Sequence, residues 1–471
     1  MVSRREKKTR KKLWQLNPSV LVILSFVVVI FVGSVLLTLP IAQTSGKWGN
    51  YMDSLFTAFS ATCVTGLCTY KEGVGGTLTF FGQLVLLIMI QIGGLGFITL
   101  LTFFITTFTK KIQFRNRYLL SQMVNSTNFA DVAKFVRRLI FISIIALLVG
   151  TLLGLPVFFT IFPHDPWKAI WNSFFTATSA FNNAGFDLFG TTSLIRAEGS
   201  ILASAPKWAY YYLCSYIMIL IVFGGISFLV ILDVFAFKKI RQWRTFTKVV
   251  LSTTGVLLLG GWFLFIATEV FRSGGMTTFD ALFQSVTLRT AGFATYNQDN
   301  LTTFGKVFSC FLMFIGGSPL STAGGIKTTT AFMIFLAVIS YFSGRHVTAF
   351  KRTYSANMTV KAMSLVFLGV FAIVIGFIAV MFFEKNLNLV ELGIQSDKSM
   401  CVAYEVFSAF GTVGVTTGIT PFISVGSKIV LCLLMFLGRL GPITFLQIFQ
   451  ANMDKKQNLH YDYVEEDFLI G

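Results

Sequence analysis

Phe407-Ser408-Ala409-Phe410-Gly411-Thr412-Val413-Gly414 is the stretch on which the reading turns, because the chain writes it four times. Phe59-Ser60-Ala61-Thr62-Cys63-Val64-Thr65-Gly66 and Thr178-Ser179-Ala180-Phe181-Asn182-Asn183-Ala184-Gly185 align with it. Ser285-Val286-Thr287-Leu288-Arg289-Thr290-Ala291-Gly292 is the most divergent copy. In three copies Ser-Ala stands at one distance before the glycine, and the glycines recur every 107 to 122 residues. Four related segments at a near-constant period signal an internal repeat.

Each copy closes a short amphiphilic segment of about a dozen residues, too short to span a bilayer. These segments begin near Asn50, Trp167, Thr277 and Met400, and each lies between two long apolar runs. The runs are Ser19 to Pro40, Phe80 to Phe108, Leu139 to Phe162, Tyr210 to Leu232, Val249 to Thr268, Val307 to Ile326, Ala362 to Phe383 and Ile429 to Phe449. Eight spans and four re-entrant loops are therefore expected, since backbone at membrane depth is tolerated where protein or a water-filled cavity surrounds it. The composition agrees: 54% of the 471 residues are hydrophobic and only 12% charged. The expected fold is an all-α membrane protein of four tandem helix, pore-loop, helix units set pseudo-fourfold about one central pore. The units are 19–108, 139–237, 249–342 and 362–450, with a basic N-terminal arm at 1–18 and a tail at 451–471. The first apolar run is too long for a signal h-region and lacks a small-residue cleavage pattern, so it is read as a retained helix.

Charge tests the topology independently. Segments 1–18, 109–138, 238–248 and 343–361 hold 23 Lys and Arg against two acids, whereas 41–79, 163–209, 269–306 and 384–428 hold 11 bases and 12 acids. The positive-inside rule then puts both termini and the inter-unit linkers in the cytoplasm. This asymmetry accounts for most of the +18 net charge, so nucleic-acid binding is not expected. Six cysteines, no C-x-x-C pair and three His give no disulfide framework or metal cluster, and neither a Ser/His/Asp set nor a phosphate-cradling loop occurs. No enzyme and no covalent cofactor are expected.

A helix ending at glycine suits ion chemistry. A dehydrated cation needs oxygens to replace its water, and backbone carbonyls turned toward one axis provide them. That turn demands torsions open to glycine, and the C-terminal dipole of each short helix favours a cation.

A second repeated signature follows in each unit: Ile92-Gly93-Gly94-Leu95-Gly96, Phe223-Gly224-Gly225-Ile226-Ser227, Ile315-Gly316-Gly317-Ser318-Pro319 and Leu437-Gly438-Arg439-Leu440-Gly441. Close helix packing explains the first two as well as function does. The third continues as Leu320-Ser321-Thr322-Ala323-Gly324-Gly325, too rich in Gly, Ser and Pro for a continuous helix. In the fourth, Arg439 takes the register of Gly94, Gly225 and Gly317, within a span where an arginine must face water or a partner. By position it is expected to face the cavity under the glycines, where a fixed positive charge repels cations and sets a permeation barrier; a structural pairing with an acid or with helix-end carbonyls is its other reading. Arg289 and Glu405 are expected to form a salt bridge bracing loops three and four, and Lys327 to snorkel toward the cytoplasmic side.

Along almost its whole length the chain resembles the Trk/Ktr/HKT superfamily of potassium transporters, and most closely its bacterial KtrB-type membrane subunit. The motifs that carry the resemblance are Ser179 to Phe186, Arg289 to Phe293, Ser408 to Gly414 and Gly438-Arg439-Leu440-Gly441-Pro442. TrkH-type subunits carry two further N-terminal helices, which favours the Ktr branch. The resemblance implies a K+ filter at Val64, Thr65, Gly66, Asn183, Ala184, Gly185, Thr290, Ala291, Gly292, Thr412, Val413 and Gly414. In relatives a serine at the first of the four glycines goes with sodium, so Gly66 points to potassium. The resemblance also implies an intramembrane gate at Gly316, Gly317, Ser318, Ser321, Thr322, Ala323, Gly324 and Gly325, together with Arg439. Pro319-Leu320 departs from the smaller residues common there. Implied partners are a second copy in a homodimer, membrane lipid, and a KtrA-like RCK regulatory subunit ring that binds nucleotide in the cytoplasm. The implied location is the bacterial plasma membrane. An inverted-repeat secondary transporter would need coupling acids inside its spans, whereas Asp233 lies near a span end. A non-conducting ATPase subunit would need no filter. Sodium conduction by the same architecture is the closer alternative.

Overall fold

The computed structural model describes residues 18–96, 129–190, 193–196, 200–203, 205–237, 239–272 and 274–441. The expected basic arm, the end of the second span beyond 96, Pro442 and the tail lie outside them. Among the described residues the regular elements are helices apart from a small hairpin pairing Thr348–Ala349 with Arg352–Thr353.

The first unit comprises α1 (Pro18–Thr38), the short α2 (Tyr51–Thr62), a single turn α3 (Gly73–Thr77) and α4 (Phe80–Leu95). The second has α5 (Phe129–Ile161), the short α6 (Pro166–Phe181), α7 (Lys207–Gly225) and α8 (Phe228–Ala236). The third has α9 (Thr245–Phe265), the short α10 (Thr278–Thr287), α11 (Thr303–Phe314) and α12 (Thr328–Ser343). The fourth has α13 (Ala356–Phe383), the short α14 (Lys398–Gly411) and α15 (Val425–Leu440). Among the described residues four stretches can cross a membrane by length and composition: Val136–Ile161, Lys207–Gly225, Thr245–Val270 and Ala356–Phe383. Four apolar helices are shorter: Val22–Thr38, Phe80–Leu95, Thr303–Phe314 and Thr328–Ser343. The apolar run from Val307 to Ile326 is interrupted between α11 and α12, as its Gly, Ser and Pro content from Gly316 to Gly325 leads one to expect.

Local chemistry sets where the short helices start. The Asn50 side chain accepts from Met52 N–H, Asp165 from Lys168 N–H, and Thr277 forms a reciprocal capping box with Asp280. Each satisfies a donor that the first turn leaves open. Two carboxylates do the same for longer helices. Glu269 is buried and receives the Thr302 N–H (3.3 Å) ahead of α11, and Glu384 receives the Ser424 N–H (2.7 Å) ahead of α15. No sequence signal marks either one, since cap and carboxylate are 33 and 40 residues apart.

Packing between units runs in one cyclic order. Helix α4 of the first unit packs on α6 of the second, α7 on α10, α11 on α14, and α15 of the fourth unit returns to α2 of the first. The last contact carries an ion pair, Lys428 Nζ to Asp53 Oδ1 at 2.7 Å. Both groups are largely buried, with side chains 11% and 20% exposed. Its worth falls between the about 1 kcal/mol of an exposed pair and the about 3–5 kcal/mol lost on breaking a buried one. Lys428→Met is therefore expected to lower the unfolding temperature in detergent by about 2–6 °C. The charge-swapped double variant Asp53→Lys with Lys428→Asp should recover most of that loss. No recovery would mean that the pair contributes nothing specific.

Candidate functional site: four glycine turns and an interrupted helix

The short helices all end in the same backbone device. The residue two before each repeat glycine has a left-handed φ: Val64 (+58°), Asn183 (+57°), Thr290 (+70°) and Thr412 (+50°). The glycines follow at +103° (Gly66), +72° (Gly185), +85° (Gly292) and +96° (Gly414). L-residues rarely adopt such torsions, so finding two in the same places in four copies is a shared construction. In the first and fourth copies the serine six residues back accepts the glycine N–H, Ser60 from Gly66 and Ser408 from Gly414, each at 3.0 Å. Val286 cannot do this in the third copy, where the Thr287 hydroxyl instead donates to Phe293 O (2.6 Å).

The four turns meet one another. A methyl group on Gly66 would sit 2.7 Å from Ala184 O, and one on Gly185 would sit 2.7 Å from Ala291 O. One on Gly292 would sit 2.7 Å from Val413 O, and one on Gly414 would strike Thr65 O. Each glycine thus abuts the carbonyl preceding the glycine of the next unit, in the cyclic order of the helix packing. Val64, Thr65, Asn183, Ala184, Thr290, Ala291, Thr412 and Val413 are all buried, which removes competing water from most of the oxygen-bearing backbone.

One cavity of ≈ 470 Å³ is lined by Gly66, Gly185, Gly292 and Gly414 together. Asp187 on its wall lies beyond α6 and outside the spanning helices. Burial pushes its carboxyl up to about 6, against hydrogen bonds from the Ser193 hydroxyl and the Phe189 N–H that hold it down. In its ionised form it gives the cavity a negative wall. Asp299, on the same cavity, is neutralised by Lys306 at 3.8 Å and anchors Gln395 and Ser396 of the fourth unit through their N–H groups.

On the other side of the turns lies the interrupted segment. Its neck is a short parallel bridge between Ile315 and Ile326, closed by Gly316 N–H to Ile326 O (2.8 Å) and Ile326 N–H to Phe314 O (3.2 Å). From that neck it leans on the second unit, with the Thr322 hydroxyl donating to Gly224 O (2.9 Å) and the Ser318 N–H to Gly225 O (3.2 Å). Gly324 faces the Thr412 side chain, and Gly325 comes within 3.3 Å of Gly411 O when given a methyl group, so the segment lies directly against the fourth turn. Gly317 and Ala323 pack on each other across it, and the Ser321 hydroxyl donates to Ser318 O (2.7 Å). Arg439 reaches the segment from α15: its guanidinium donates to Thr322 O, Gly93 O and Gly94 O, the last at 3.1 Å. It therefore ties the segment to the end of α4, and its partners are carbonyls.

The glycine pairs also divide their work. In three units the first glycine of the signature gives close packing: a methyl group on Gly93, Gly224 or Gly438 would strike Thr62 O, Phe181 O or Phe410 O at the C-terminal end of the unit's own short helix, whereas one on Gly316 would strike Gly324 O. The helices then stop in a common register, α4 at Gly96 and α15 at Gly441, with α7 broken at Ile226–Ser227.

Two expected charge roles are corrected. Arg289 and Glu405 form no bridge. Arg289 Nη1 donates to Ile315 O (2.5 Å), and Glu405 is taken up by its own loop, through Thr416, the Thr417 N–H (3.2 Å) and the Thr420 hydroxyl (2.9 Å). Besides the Asp299 carboxylate, neutral groups brace loops three and four. Gln284 of α10 and Gln298 exchange amide hydrogen bonds, and Tyr404 of α14 donates to Gln298 Oε1 (2.6 Å). A satisfied amide network avoids the desolvation penalty of two buried charges. Lys327 turns back on the segment, donating to Ala323 O (2.8 Å), rather than extending away from it.

Known proteins resemble the chain in sequence and in fold. The family profile described as TrkH, cation transport protein, matches residues 3–461. The potassium/sodium uptake protein NtpJ of Enterococcus hirae is 34% identical over 479 residues, covering 99% of both chains. The Ktr system potassium uptake protein B of Bacillus subtilis is 34% identical over 455 residues, covering 94% of this chain and 95% of that one. In fold, the crystal structure of the potassium transporter TrkH from Vibrio parahaemolyticus superposes with a TM-score of 0.64 at 17% identity, covering 90% of this chain and 84% of that one. The chain belongs to the TrkH family of cation transport proteins, and it is a transporter rather than an enzyme.

Proposed function

We propose that this chain takes up potassium through one central pore per chain, its filter formed by the four glycine turns. The cyclic contact of each glycine with the next unit's carbonyl carries the reading, because four chemically similar oxygen-bearing turns facing each other are what a desolvated monovalent cation requires. The oxygens belong to Val64, Thr65, Asn183, Ala184, Thr290, Ala291, Thr412 and Val413 with their glycines, and K+ is cargo rather than cofactor. The short helices direct their C-terminal dipoles at the same place. The Gly316–Gly325 segment, held by Arg439, is the gate on the cytoplasmic side, and Asp187 draws cations to the outer mouth.

Both termini face the cytoplasm of a bacterial cell, as the charge asymmetry supports. Relatives named as parts of a Ktr system support a cytoplasmic regulatory subunit as partner; the homodimer and the nucleotide control of the gate rest on the family resemblance alone. The name of the Enterococcus relative supports a second reading, sodium passage by the same route. Growth rescue at low potassium in a host without its own uptake systems decides between them, with rubidium and sodium uptake measured alongside. Wild type is expected to rescue. Gly66→Ser, which adds a side chain where a methyl group already meets backbone at 2.7 Å, is expected to lose at least about tenfold in potassium-over-sodium preference, equivalent to 1.4 kcal/mol. Sodium uptake by wild type without rescue overturns the ion assignment.

A further inference from the structure

We propose that Arg289 couples the ion held in the glycine turns to the state of the interrupted segment, acting as a positioning residue between filter and gate. The inference rests on the function proposed above. Arg289 precedes Thr290, whose left-handed torsion opens the third turn, and it is 6% exposed. Its Nη1 donates to Ile315 O at 2.5 Å, and Ile315 is the residue at which α11 stops and the neck of the segment begins. One side chain therefore joins the backbone entering a filter turn to the backbone entering the gate.

The other three copies do not build this link. The positions three before the glycine hold Cys63, Asn182, Arg289 and Gly411. Asn182 donates to Gln91 Oε1 (2.7 Å) on α4, and its bond ties two units at the level of the turns without reaching the segment. Only the unit that contains the interrupted helix carries a guanidinium here.

The environment of Arg289 argues against a packing role alone. It makes no ion pair among the described residues, and its Nε has no hydrogen-bond partner. A buried cation with so few partners is costly, and a neutral residue of the same volume would pack without that cost. What the charge adds is a strong, directional bond to one carbonyl and a field at the third turn that depends on its position. If the neck opens, Ile315 O withdraws and the guanidinium is released toward the turns, where its charge disfavours the bound cation. Conversely, an ion that fits the turns poorly shifts Thr290 and strains the bond to the neck. Coupling of this kind is reciprocal: whatever ion identity does to the gate, the gate does to ion affinity.

The test uses the full chain in liposomes with Ser321→Cys in the segment, labelled by a water-soluble maleimide in potassium and then in sodium. With Arg289 present, the labelling rate is expected to differ at least threefold between the two salts. With Arg289→Met the difference is expected to vanish, and with Arg289→Lys to be partly retained. The Lys variant also serves if the Met variant fails to fold. An ion-dependent rate that survives both substitutions, or no ion dependence in the parent, overturns the proposal. Rubidium-over-sodium uptake by Gly66→Ser in the same vesicles separates the two readings: unchanged selectivity there defeats the filter assignment itself.

Discussion

Alanine at Gly185 is expected to reduce potassium uptake at least about a hundredfold while the protein still reaches the membrane. Gly185 has φ +72°, and an added methyl group would stand 2.7 Å from both Ala291 O and Gly292 Cα. The left-handed torsion alone costs an alanine about 1–2 kcal/mol. The overlap is with backbone on the neighbouring unit, which has no rotamer with which to yield. The Ala291 carbonyl must move off the axis, so the substitution damages two adjacent oxygen positions at once. At 1.4 kcal/mol per decade, about 3 kcal/mol of misplacement gives the hundredfold. Gly190→Ala is the matched control: its φ is +95° but, among the described residues, nothing lies within 4 Å of the added methyl. That variant carries the torsional strain without the clash and is expected to keep most of its uptake. Equal losses at the two positions would show that strain in the fold, rather than the meeting of the turns, sets the rate.

Removing the charge at Arg439 is expected to have the opposite sign. A unit charge that came within about 5 Å of a passing cation, at an effective dielectric near 20, would oppose it by about 3 kcal/mol, and Arg439 reaches the segment proposed as the gate. Cavity water and counter-ions reduce this, so Arg439→Gln is expected to raise the maximal uptake rate about tenfold. Arg439→Lys separates the two possible roles of the side chain. It keeps the charge but cannot span Thr322 O, Gly93 O and Gly94 O, which the guanidinium reaches together. If the barrier is electrostatic, Lys behaves like wild type and Gln runs fast. If the three-carbonyl clamp is what holds the segment shut, Lys runs fast as well. Initial rates of rubidium entry into vesicles report both.

The sequence exposes those parts of this architecture that are set by local stereochemistry. A glycine at positive φ leaves a mark because few residues can stand in for it, and four such marks at one period locate the turns, the short helices that lead into them and the break after Ile315. Distant partners leave no such mark. Lys428 and Asp53 lie 375 residues apart, and nothing in either neighbourhood names the other. Glu269 and Glu384 cap helices across an intervening loop. The expected Arg289–Glu405 bridge fails for the same reason. Opposite signs in adjacent loops are visible in a sequence, whereas a backbone carbonyl such as Ile315 O, able to take a guanidinium without a second buried charge, is not. Gln284, Gln298 and Tyr404 carry no charge to draw notice, yet they join the third and fourth loops. Lys327 follows the same logic, since carbonyls freed by an interrupted helix offer an ammonium nearer partners than the membrane surface.

Rubidium influx into liposomes containing only this purified chain, with potassium or sodium as competitor, tests the central claim most directly. Influx is expected that potassium blocks at concentrations at least about tenfold lower than sodium, a margin of 1.4 kcal/mol, and that Gly185→Ala abolishes. Influx blocked equally by both ions, or unchanged by Gly185→Ala, would contradict a potassium filter made by the four turns.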